Sequence, residues 1–374
     1  MEIIMKVIYA GGGTGGHINP AISIADYAKT QDNEHEALFI GTKSGLETRL
    51  VPKAGYDIEY IDIQGFDRKH LLRNFATVKK LIKSRSDCRK IIKKFKPDCV
   101  VCTGGYVSGP VMMAAHACGV PSLIHEQNVY PGLTVKGSEK YATYLALSFD
   151  ETVNHMDDKS KCVVTGNPVR MQIINADREA ARKKLNVTRP FALIFGGSLG
   201  AQKINDTVIE MLDRIVKDDE ISLMFGTGER NYKEVTAEIE KRGIELNEHV
   251  QVLPYIDNIA DVMAAADIVA ARSGAITVSE IAVLNKPSIL IPSPNVVRNH
   301  QEQNAREFER HGAAAVITEN ELTADRLYDK MMSMLSNADA LKEMSAALGP
   351  LAKTDALEKL YQLMINMSKK RENK

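Results

Sequence analysis

The chain of 374 residues contains no tryptophan, no excess of charge of either sign and no long apolar run. Lysine plus arginine and aspartate plus glutamate number 48 each, so the surface as a whole is not built to hold nucleic acid. No apolar run approaches the roughly 18 residues that a membrane-spanning helix needs. We therefore expect no transmembrane segment and no nucleic-acid partner, and any basic surface must be local.

Cysteine is also scarce, with five residues in the chain. They lie mostly in apolar surroundings and lack the paired spacing of a zinc site. The opening "MEIIMKVIYA" has neither a basic leader nor a small-residue cleavage site. We expect a reduced cytosolic chain that uses no cofactor and has no metal site.

Short apolar runs alternate with longer helical patterns along the chain, which is typical of α/β proteins with parallel sheets. The length exceeds what one hydrophobic core usually serves. A weak internal repeat, "KVIYAGGGTGGH" and "FALIFGGSLGA", predicts two Rossmann-like halves, each opening with a strand, a glycine loop and a helix. The runs are KVIYA, ALFIG, IEYIDI, PDCVVCTGG and SLIHEQN in the first half, then FALIFGGS, ISLMFGTG, VQVLPY, DIVAARSG, PSILIPSP and AAAVIT in the second.

The boundary between the halves is predicted near "TGNPVR", residues 165–170, because a helix and a connector follow before the first strand of the second half. We predict a first domain at 1–167 and a second at 168–350. The tail at 351–374 reads as helix with no strand after it. We expect this tail to pack back on the first domain.

The first glycine loop, "GGGTGGH", lies between a predicted strand and a predicted helix. Gly11, Gly13 and Gly16 fit the dinucleotide fingerprint G-x-G-x-x-G. The next strand ends "FIGTKSG", without the acid that would hold a ribose, so a phosphate-bearing group is favoured over a dinucleotide or a plain tight turn. His17, where the loop becomes the helix, is a candidate base for a bound hydroxyl, or it forms only a local hydrogen bond.

A second loop, "GGSLG" at 196–200, fits the G-x-S-x-G pattern of a hydrolase nucleophile elbow. Ser198 would then need an acid and a histidine downstream, and Asp267 with His300 or His311 has the right chain order. The rival interpretation makes Ser198 a phosphate ligand on a second glycine loop. The internal repeat favours this rival.

The stretch "RSGAITVSE" reads as the end of a buried strand, a turn and a helix that opens near Gly274. Backbone amides at 274–277 would point towards an anion. Glu280, about one turn further on, could accept hydrogen bonds from a ribose diol. The alternative is an exposed glutamate that stabilises the first turn of a helix.

A basic segment extends from Arg68 to Lys96, with twelve Lys or Arg residues and a single acid. Its apolar residues at helical spacing, a pattern typical of an amphipathic helix, are Leu71, Phe75, Val78 and Ile82. In one interpretation this stripe docks on an anionic membrane surface. In the other it faces the core and the lysines are solvated.

Seven motifs, taken together and in order, resemble the MurG family of bacterial cell-wall glycosyltransferases. They are GGGTGGHINPA, GGYVSGP, IHEQN, TGNPVR, GGSLGA, RSGAITVSE and HQEQNA, and the resemblance extends from about residue 5 to 305. It implies an α/β glycosyltransferase-B fold, with two Rossmann-like domains whose parallel sheets face each other across a cleft. The first domain would take a lipid-linked acceptor and the second UDP-N-acetylglucosamine.

The resemblance also implies roles for individual residues. Asn128 and Gln301 would contact the donor sugar. Arg170 and Ser198 would contact the diphosphate, and Glu280 the ribose. The full donor-binding set carried over is Thr14, Gly15, Gly16, Asn128, Arg170, Ser198, Ile256, Ala275, Ile276, Thr277, Val278, Ser279, Glu280 and Gln301, with Ile256 holding the uracil through its backbone. The acceptor pyrophosphate would lie against Gly13, Gly104, Gly105, Tyr106 and Ser108.

The implied reaction is an inverting transfer of N-acetylglucosamine to the C4 hydroxyl of undecaprenyl-pyrophosphoryl-MurNAc-pentapeptide (lipid I). His17 is the candidate base, and helix-end amides with Arg170 would stabilise the departing diphosphate. The implied location is peripheral, at the cytoplasmic face of the plasma membrane. Another UDP-sugar enzyme of the same fold, such as an epimerase or a glycolipid synthase, and a serine hydrolase built on Ser198 remain as alternatives.

Overall fold

The structure, a computed structural model, describes residues 5–65, 74–197 and 200–372. The chain divides into two compact units. The amino-terminal unit consists of Met1–Val169 together with Thr354–Lys374, and the carboxy-terminal unit is Arg170–Lys353.

The amino-terminal unit is built on a seven-stranded sheet in which all pairings are parallel, in the order β3-β2-β1-β4-β5-β6-β7. The central strands are buried on both faces, as expected for parallel strands covered by helices. The strands are β1 (Lys6–Ala10), β2 (Glu36–Gly41), β3 (Asp57–Tyr60), β4 (Cys99–Cys102), β5 (Ser122–Glu126), β6 (Tyr144–Leu147) and β7 (Cys162–Val164).

Helices cover both faces of this sheet. One hydrophobic core contains Cys88, Ile92 and Val111 from the helices after β3 and β4, and the opposite core contains Ile18 and Ile24 from the helix after β1. The helices are α1 (Gly15–Gln31), α2 (Glu47–Lys53), α3 (Asn74–Phe95), α4 (Ser108–Ala117) and α5 (Leu133–Ser138).

The carboxy-terminal unit repeats the architecture with a six-stranded parallel sheet in the order β10-β9-β8-β11-β12-β13. Its strands are β8 (Phe191–Phe195), β9 (Ser222–Gly226), β10 (Val250–Leu253), β11 (Ile268–Ala271), β12 (Ser288–Leu290) and β13 (Ala315–Val316). Its helices are α6 (Met171–Ile174), α7 (Arg178–Lys184), α8 (Gln202–Asp218), α9 (Tyr232–Lys241), α10 (Ile259–Ala265), α11 (Ala275–Val283), α12 (His300–Arg310), α13 (Ala324–Leu335) and α14 (Ala338–Ala347).

The last helix, α15 (Ala356–Glu372), lies in the amino-terminal unit. It packs on α1, where Leu360 and Met364 join the same core as Ile24. Short 3₁₀ turns complete the described structure, at Glu139–Tyr141, Asp150–His155, Lys159–Lys161, Val297–Asn299, Glu319–Glu321 and Gly349–Leu351.

The prediction of an α/β chain with two parallel sheets is confirmed. Each apolar run singled out in the sequence contains a strand, whereas β6 and β7 were not predicted. Both are short, at four and three residues, and so few residues give a weak strand signal in the sequence. Within the described ranges, no helix combines the length and the apolar character that crossing a bilayer requires.

Candidate active site

Two glycine loops lie side by side in the amino-terminal unit, because they follow the neighbouring strands β1 and β4. Gly105 has a positive φ of 76°, and a Cβ atom placed there would come within 2.2 Å of the Gly12 carbonyl oxygen. Glycine is required at such a position because a side chain would meet backbone. Part of the glycine content of the first loop therefore serves the contact between the two loops.

The start of α1 is fastened to the end of β4 by Thr103. Its hydroxyl donates to the His17 carbonyl oxygen at 2.6 Å. A Cβ atom at Gly11 would lie 2.3 Å from the same hydroxyl oxygen, so this glycine permits the close approach. The first turn of α1, with its histidine, is thereby fixed at the carboxyl edge of the sheet, where α/β folds bind their ligands.

The half-buried imidazole of His17 is held by groups from the ends of β4 and β5. Its Nδ1 atom lies 3.0 Å from the Thr103 carbonyl oxygen and 3.2 Å from Gln127 Oε1. Both partners are acceptors, so Nδ1 carries the hydrogen and Nε2 of the neutral ring carries the lone pair. Burial lowers the pKa of His17, although these two hydrogen bonds oppose the shift. The neutral ring is thus suited to accept a proton.

Several groups predicted to meet the acceptor pyrophosphate already have partners within the unit. The Gly13 amide donates to Glu47 at 3.3 Å, and the Gly104 amide donates to the Ser108 hydroxyl at 3.1 Å. Ser108 is fully buried, and its hydroxyl donates to the Gly104 carbonyl oxygen at 2.7 Å. The Tyr106 ring lies beside Gly13. These contacts shape the two loops, and direct contact with pyrophosphate stays a prediction for Gly13, Gly104, Gly105, Tyr106 and Ser108.

The first turn of α1 carries the residues predicted to reach the donor. Thr14 precedes the helix in an extended conformation, and its carbonyl oxygen accepts from the amides of His17 and Ile18. Its side chain forms no capping hydrogen bond, and the first turn has no acid. Thr14 and Gly16 are exposed and Gly15 is partly so. An anion would be favoured at such a helix start.

Asn128, the predicted sugar contact, is positioned by the buried carboxylate of Glu126. Its backbone and side-chain nitrogens donate to Glu126 Oε1 at 2.9 and 3.0 Å. The other carboxylate oxygen accepts from the Gly132 amide at 2.7 Å. The loop after β5 therefore closes around one carboxylate, which fixes the backbone of Asn128.

In the carboxy-terminal unit, an ion pair joins the two residues predicted to contact the diphosphate and the ribose. Arg170 donates to Glu280 Oε1 at 2.9 Å, and the side chains are 49% and 8% exposed respectively. Burial raises the pKa of Glu280, and the positive charge of Arg170 opposes this. The alternative of an exposed glutamate on the first turn of a helix is therefore wrong.

Glu280 lies on α11, which begins after Gly274 with no side-chain cap and no acid in its first turn. Such a start offers backbone amides to an anion, as predicted for this helix. The other residues predicted on this helix lie on two faces of it. Ala275 and Val278 are buried, and Ile276, Thr277 and Ser279 are partly exposed.

Gln301 and Ile256 both lie next to strand ends of the second sheet. Gln301 accepts from the Ser293 amide through Oε1 at 2.9 Å, and its carbonyl oxygen accepts from the Ser273 hydroxyl at 2.8 Å. The Ile256 side chain is buried and packs against Gly226, the last residue of β9. Both residues therefore lie at the carboxyl edge, where a nucleotide-sugar would bind.

Asp267, the acid of the hydrolase alternative, is occupied by other partners. The carboxylate of Asp267 accepts hydrogen bonds from Arg178 at 2.5 Å, from Arg182 at 3.0 Å and from the Phe191 amide at 2.7 Å. Burial raises the pKa of Asp267, but these partners, Arg178 foremost, lower it below its usual value. This carboxylate therefore ties α7 to the sheet. The two candidate histidines have other hydrogen-bond partners. Nδ1 of His300 contacts the Val297 carbonyl oxygen, and Nδ1 of His311 contacts the Glu307 carbonyl oxygen. Ser198 itself lies outside the described residues.

Within the basic segment, residues Asn74–Phe95 form α3, and Ile82 is the member of the predicted apolar stripe whose burial is described. The helix turns Thr77, Ser84, Cys88 and Ile92 into the unit. Ile82, from the predicted stripe, is 67% exposed, and Lys79 and Lys83 beside it are exposed as well. The core-facing interpretation is therefore wrong for Ile82. Leu71, at the start of the stripe, lies outside the described residues, as do the side chains of Phe75 and Val78, so the outcome for these three stays open.

Comparison with known proteins agrees with this geometry. Residues 7–147 match the glycosyltransferase family 28 N-terminal domain, and residues 191–360 match the glycosyltransferase family 28 C-terminal domain. Together with the two parallel sheets, these matches define the class: a glycosyltransferase with the glycosyltransferase-B fold.

The relatives are more specific. A protein of Ruminiclostridium cellulolyticum, named UDP-N-acetylglucosamine--N-acetylmuramyl-(pentapeptide) pyrophosphoryl-undecaprenol N-acetylglucosamine transferase, is 45% identical over 362 residues, covering 96% of this chain and 99% of its own. The crystal structure of Acinetobacter baumannii MurG matches with a TM-score of 0.77 at 26% identity, over 97% of this chain and 99% of that one. The chain belongs to the MurG family, so the resemblance drawn from its motifs is confirmed.

Fold alone would not have separated this family from the epimerase alternative. The crystal structure of UDP-GlcNAc 2-epimerase from Neisseria meningitidis, bound to UDP-GlcNAc, matches with a TM-score of 0.65 at 14% identity, over 97% of this chain and 100% of that one. At that identity the likeness shows the fold only.

Sequence reasoning missed several residues that shape the candidate site, namely Thr103, Gln127, Glu47 and Glu126. A signal was present for Gln127, since "IHEQN" places it two positions after His125 at the end of a strand. Residues two apart share a face of a strand. Which of them meets His17 depends on the pairing of β1, β4 and β5, which the spacing does not contain.

Proposed function

We propose that the protein transfers N-acetylglucosamine from UDP-N-acetylglucosamine to the C4 hydroxyl of lipid I, with inversion at the anomeric carbon, to make lipid II for peptidoglycan synthesis. The full-length match to relatives named for this reaction supports the substrates. The observation that carries the chemistry is the pair of acceptors next to His17 Nδ1, from which we infer that Nε2 of the neutral ring is the basic nitrogen.

In the transfer step, the oxygen of the acceptor hydroxyl forms a bond to the anomeric carbon from the side opposite UDP. The bond from that carbon to the UDP oxygen breaks, and its electron pair leaves with the diphosphate. Nε2 of His17 takes the hydroxyl proton and later releases it to solvent. The transition state resembles an oxocarbenium ion, as in glycoside hydrolysis.

On the donor side, Arg170 and Glu280 are suited to different parts of UDP. Glu280 is nearly fully buried, so its carboxylate is fixed and can accept hydrogen bonds from the ribose hydroxyls. Arg170 is half exposed and can turn towards the diphosphate, where a guanidinium binds two oxygens at once. The amides at the start of α11 would add to this stabilisation of the leaving group.

The test is transfer of labelled N-acetylglucosamine from its UDP donor to a purified lipid pyrophosphate acceptor. We expect a labelled disaccharide lipid and release of UDP. A second reaction without acceptor measures the epimerase alternative, because an epimerase would convert UDP-N-acetylglucosamine to its C2 epimer. Epimer formation without any lipid product would overturn the proposal, as would ester hydrolysis with labelling of Ser198 by a fluorophosphonate.

We also propose that α3 docks on the anionic lipid of the cytoplasmic face of the plasma membrane, which would place the protein beside its lipid-linked acceptor as a peripheral protein. Exposed Ile82 between exposed Lys79 and Lys83 supports this. An apolar side chain can enter the headgroup region, and each nearby basic residue adds about 1 kcal/mol of attraction. Lys80 is a weaker candidate because it pairs with Asp62 at 2.9 Å.

Binding to vesicles with and without anionic lipid tests this docking. Ile82→Ser and the double change Lys79→Gln with Lys83→Gln should each weaken binding, the second by about 2 kcal/mol at low salt. Added salt should remove the lysine effect, because the Debye length falls from about 10 Å at 0.1 M to about 3 Å at 1 M.

The matched controls lie on exposed positions of the carboxy-terminal unit. They are Leu246→Ser for the apolar change, and Lys183→Gln with Lys233→Gln for the charges. Vesicle binding that falls equally in the controls, or that survives all changes on α3, would place the docking surface elsewhere. Transfer to a short-chain, water-soluble acceptor should be unchanged in each variant.

A further inference from the structure

A chain of buried hydrogen bonds extends from His17 into the amino-terminal unit. Gln127 is its middle member: its Oε1 lies 3.2 Å from His17 Nδ1, and its Nε2 lies 3.0 Å from His125 Nδ1. His125 ends the chain, with Nε2 3.0 Å from the Gly166 carbonyl oxygen. Gln127 and His125 are buried, at 2% and 0% exposure.

The direction of each hydrogen bond follows from the far end of this chain. The Gly166 carbonyl oxygen can only accept, so His125 Nε2 carries a hydrogen. Burial lowers the pKa of His125 to about 4, although the Gly166 hydrogen bond opposes it, so the ring is neutral near pH 7. Its Nδ1 is therefore a lone pair and accepts from the Gln127 amide.

The orientation of the Gln127 amide is fixed independently. Its nitrogen also lies 2.8 Å from the Thr103 carbonyl oxygen and 3.2 Å from the His125 carbonyl oxygen. Both are acceptors, so this end must be the NH₂ group. The opposite end, Oε1, then faces His17 and can only accept the Nδ1 hydrogen.

Charged groups near the chain are held by other partners. Glu126 accepts from the amides of Asn128 and Gly132, and Glu47 accepts from Thr42 and Gly13. The loop after β4 adds the phenol of Tyr106, which lies beside Gly13. The two hydrogen bonds described for His17 Nδ1 go to neutral acceptors. Neutral acceptors, namely Gln127 of the hydrogen-bond chain together with the Thr103 carbonyl oxygen, thus set the tautomer of this ring.

We propose that Gln127 and His125 are positioning residues that hold neutral His17 as its Nδ1–H tautomer and so keep Nε2 free to accept the proton of the acceptor hydroxyl. The inference rests on the proposed function, in which His17 is the base. An amide suits this role because it does not titrate and its two ends have opposite polarity. The neutral form of His17 therefore keeps the same tautomer at every pH at which it is present.

Gln127→Met tests the central link, because it keeps roughly the same length and removes both polar ends. We expect kcat to fall about 10- to 100-fold with little change in the donor KM, as when the partner of a metal-bound histidine is removed. The acid limb of kcat/KM should move to lower pH, since the hydrogen bond from His17 to Gln127 raises the His17 pKa against burial. Gln127→Glu should move that limb to higher pH, because a carboxylate stabilises the imidazolium.

Ser122→Ala is the matched control. Ser122 lies on the same strand as His125, is fully buried and donates to the Tyr141 carbonyl oxygen at 3.2 Å. Its loss removes one buried hydrogen bond without touching the chain. Thermal unfolding of each variant measures the stability change, and the control should lose stability while its pH profile stays in place.

A second readout needs no substrate. In histidine-labelled protein, nitrogen NMR reports which ring nitrogen is protonated, and the signal missing from His17→Gln identifies His17. We expect the Nδ1–H tautomer in the parent and an increased Nε2–H population in Gln127→Met. The parent protein must also transfer the sugar, so absence of transfer by the parent would fault the proposed function and leave the NMR result standing.

Two results would overturn the positioning role. One is an Nε2–H tautomer in the parent, or the same tautomer in the parent and in Gln127→Met. The other is an Nδ1–H tautomer in the parent that changes in Gln127→Met, while the acid limb of kcat/KM stays at the parent's pH in both Gln127 variants. In that case Gln127 would set the tautomer of His17, but the tautomer would not serve catalysis, so the positioning role would be wrong.

Discussion

The two units place polar groups at the carboxyl edges of similar parallel sheets, yet they hold these groups in different ways. In the amino-terminal unit, His17 is held by neutral acceptors, and the buried carboxylates of Glu47 and Glu126 accept from backbone amides. In the carboxy-terminal unit, the buried carboxylate Glu280 pairs with the cation of Arg170. The difference matches the two tasks proposed for the units.

A base must change its charge during the reaction, and a fixed charge beside it would favour one state throughout. Neutral hydrogen bonds orient the ring without that bias. A nucleotide diphosphate brings a permanent charge, so a cation and a fixed carboxylate are suited to bind it. Under the proposed function, the same fold would therefore support a proton-transfer site in one unit and a charge-binding site in the other.

The largest effect expected from this comparison is that of His17→Gln. It removes the basic nitrogen and should lower the rate of transfer in a single turnover by about 10²- to 10⁴-fold, the usual contribution of a general base. Donor binding should be nearly unchanged, because most of the residues proposed to hold the donor lie in the other unit. A loss of less than tenfold in the rate would break the assignment of the base to the amino-terminal unit.

The next largest effect is a pH dependence of the free energy of unfolding, which tests whether the carboxy-terminal unit buries charge. Lys286 is buried, donates to the Ala264 and Ala266 carbonyl oxygens, and has its pKa lowered to about 8 by burial. The unfolded chain therefore binds more protons between about pH 8 and pH 10. The free energy of unfolding should rise with pH across this window, by about 3 kcal/mol at most.

Urea unfolding at several pH values measures this rise, and the difference between the parent and Lys286→Met isolates the contribution of Lys286 from other groups. The difference should grow with pH. Lys183→Met, on an exposed lysine of the same unit, should leave the pH dependence as in the parent. If the free energy of unfolding of Lys286→Met still rises with pH as in the parent, the rise comes from another group.

The smallest effect is expected for Glu280→Ala. It should raise the donor KM by about 10- to 100-fold, corresponding to about 1.5 to 3 kcal/mol for hydrogen bonds to a charged group, with little change in kcat. Glu280→Gln keeps one acceptor oxygen for the ribose and should cost less. An unchanged donor KM in Glu280→Ala would remove Glu280 from the donor site and weaken the contrast between the two units.

Much of the fold and part of the site follow from local patterns. The alternation of apolar runs with helical segments indicated two parallel sheets. The glycine loop that opens α1 and the start of α11 at Gly274 were found because each follows a strand and opens a helix. Strands β6 and β7 escaped prediction because they have four and three residues, and so short a strand carries little periodicity. Ile82 was assigned to an apolar stripe, but the sequence did not show whether that stripe faces the core or the surface. A helix with apolar residues on two sides has no single predicted buried face.

The sequence by itself determined the α/β class, the family and the residue types available for catalysis and binding, because these depend on composition and on spacing along the chain. Only the tertiary structure decided which partners those residues have. Thr103 and Gln127 are 86 and 110 positions from His17, and Arg170 is 110 positions from Glu280. The two contacts of His17 arise where the parallel strands β4 and β5 end side by side, and the contact of Arg170 with Glu280 arises where α6 packs on α11. The charge, tautomer and burial of each site residue therefore come from sheet order and helix packing, which local spacing does not encode.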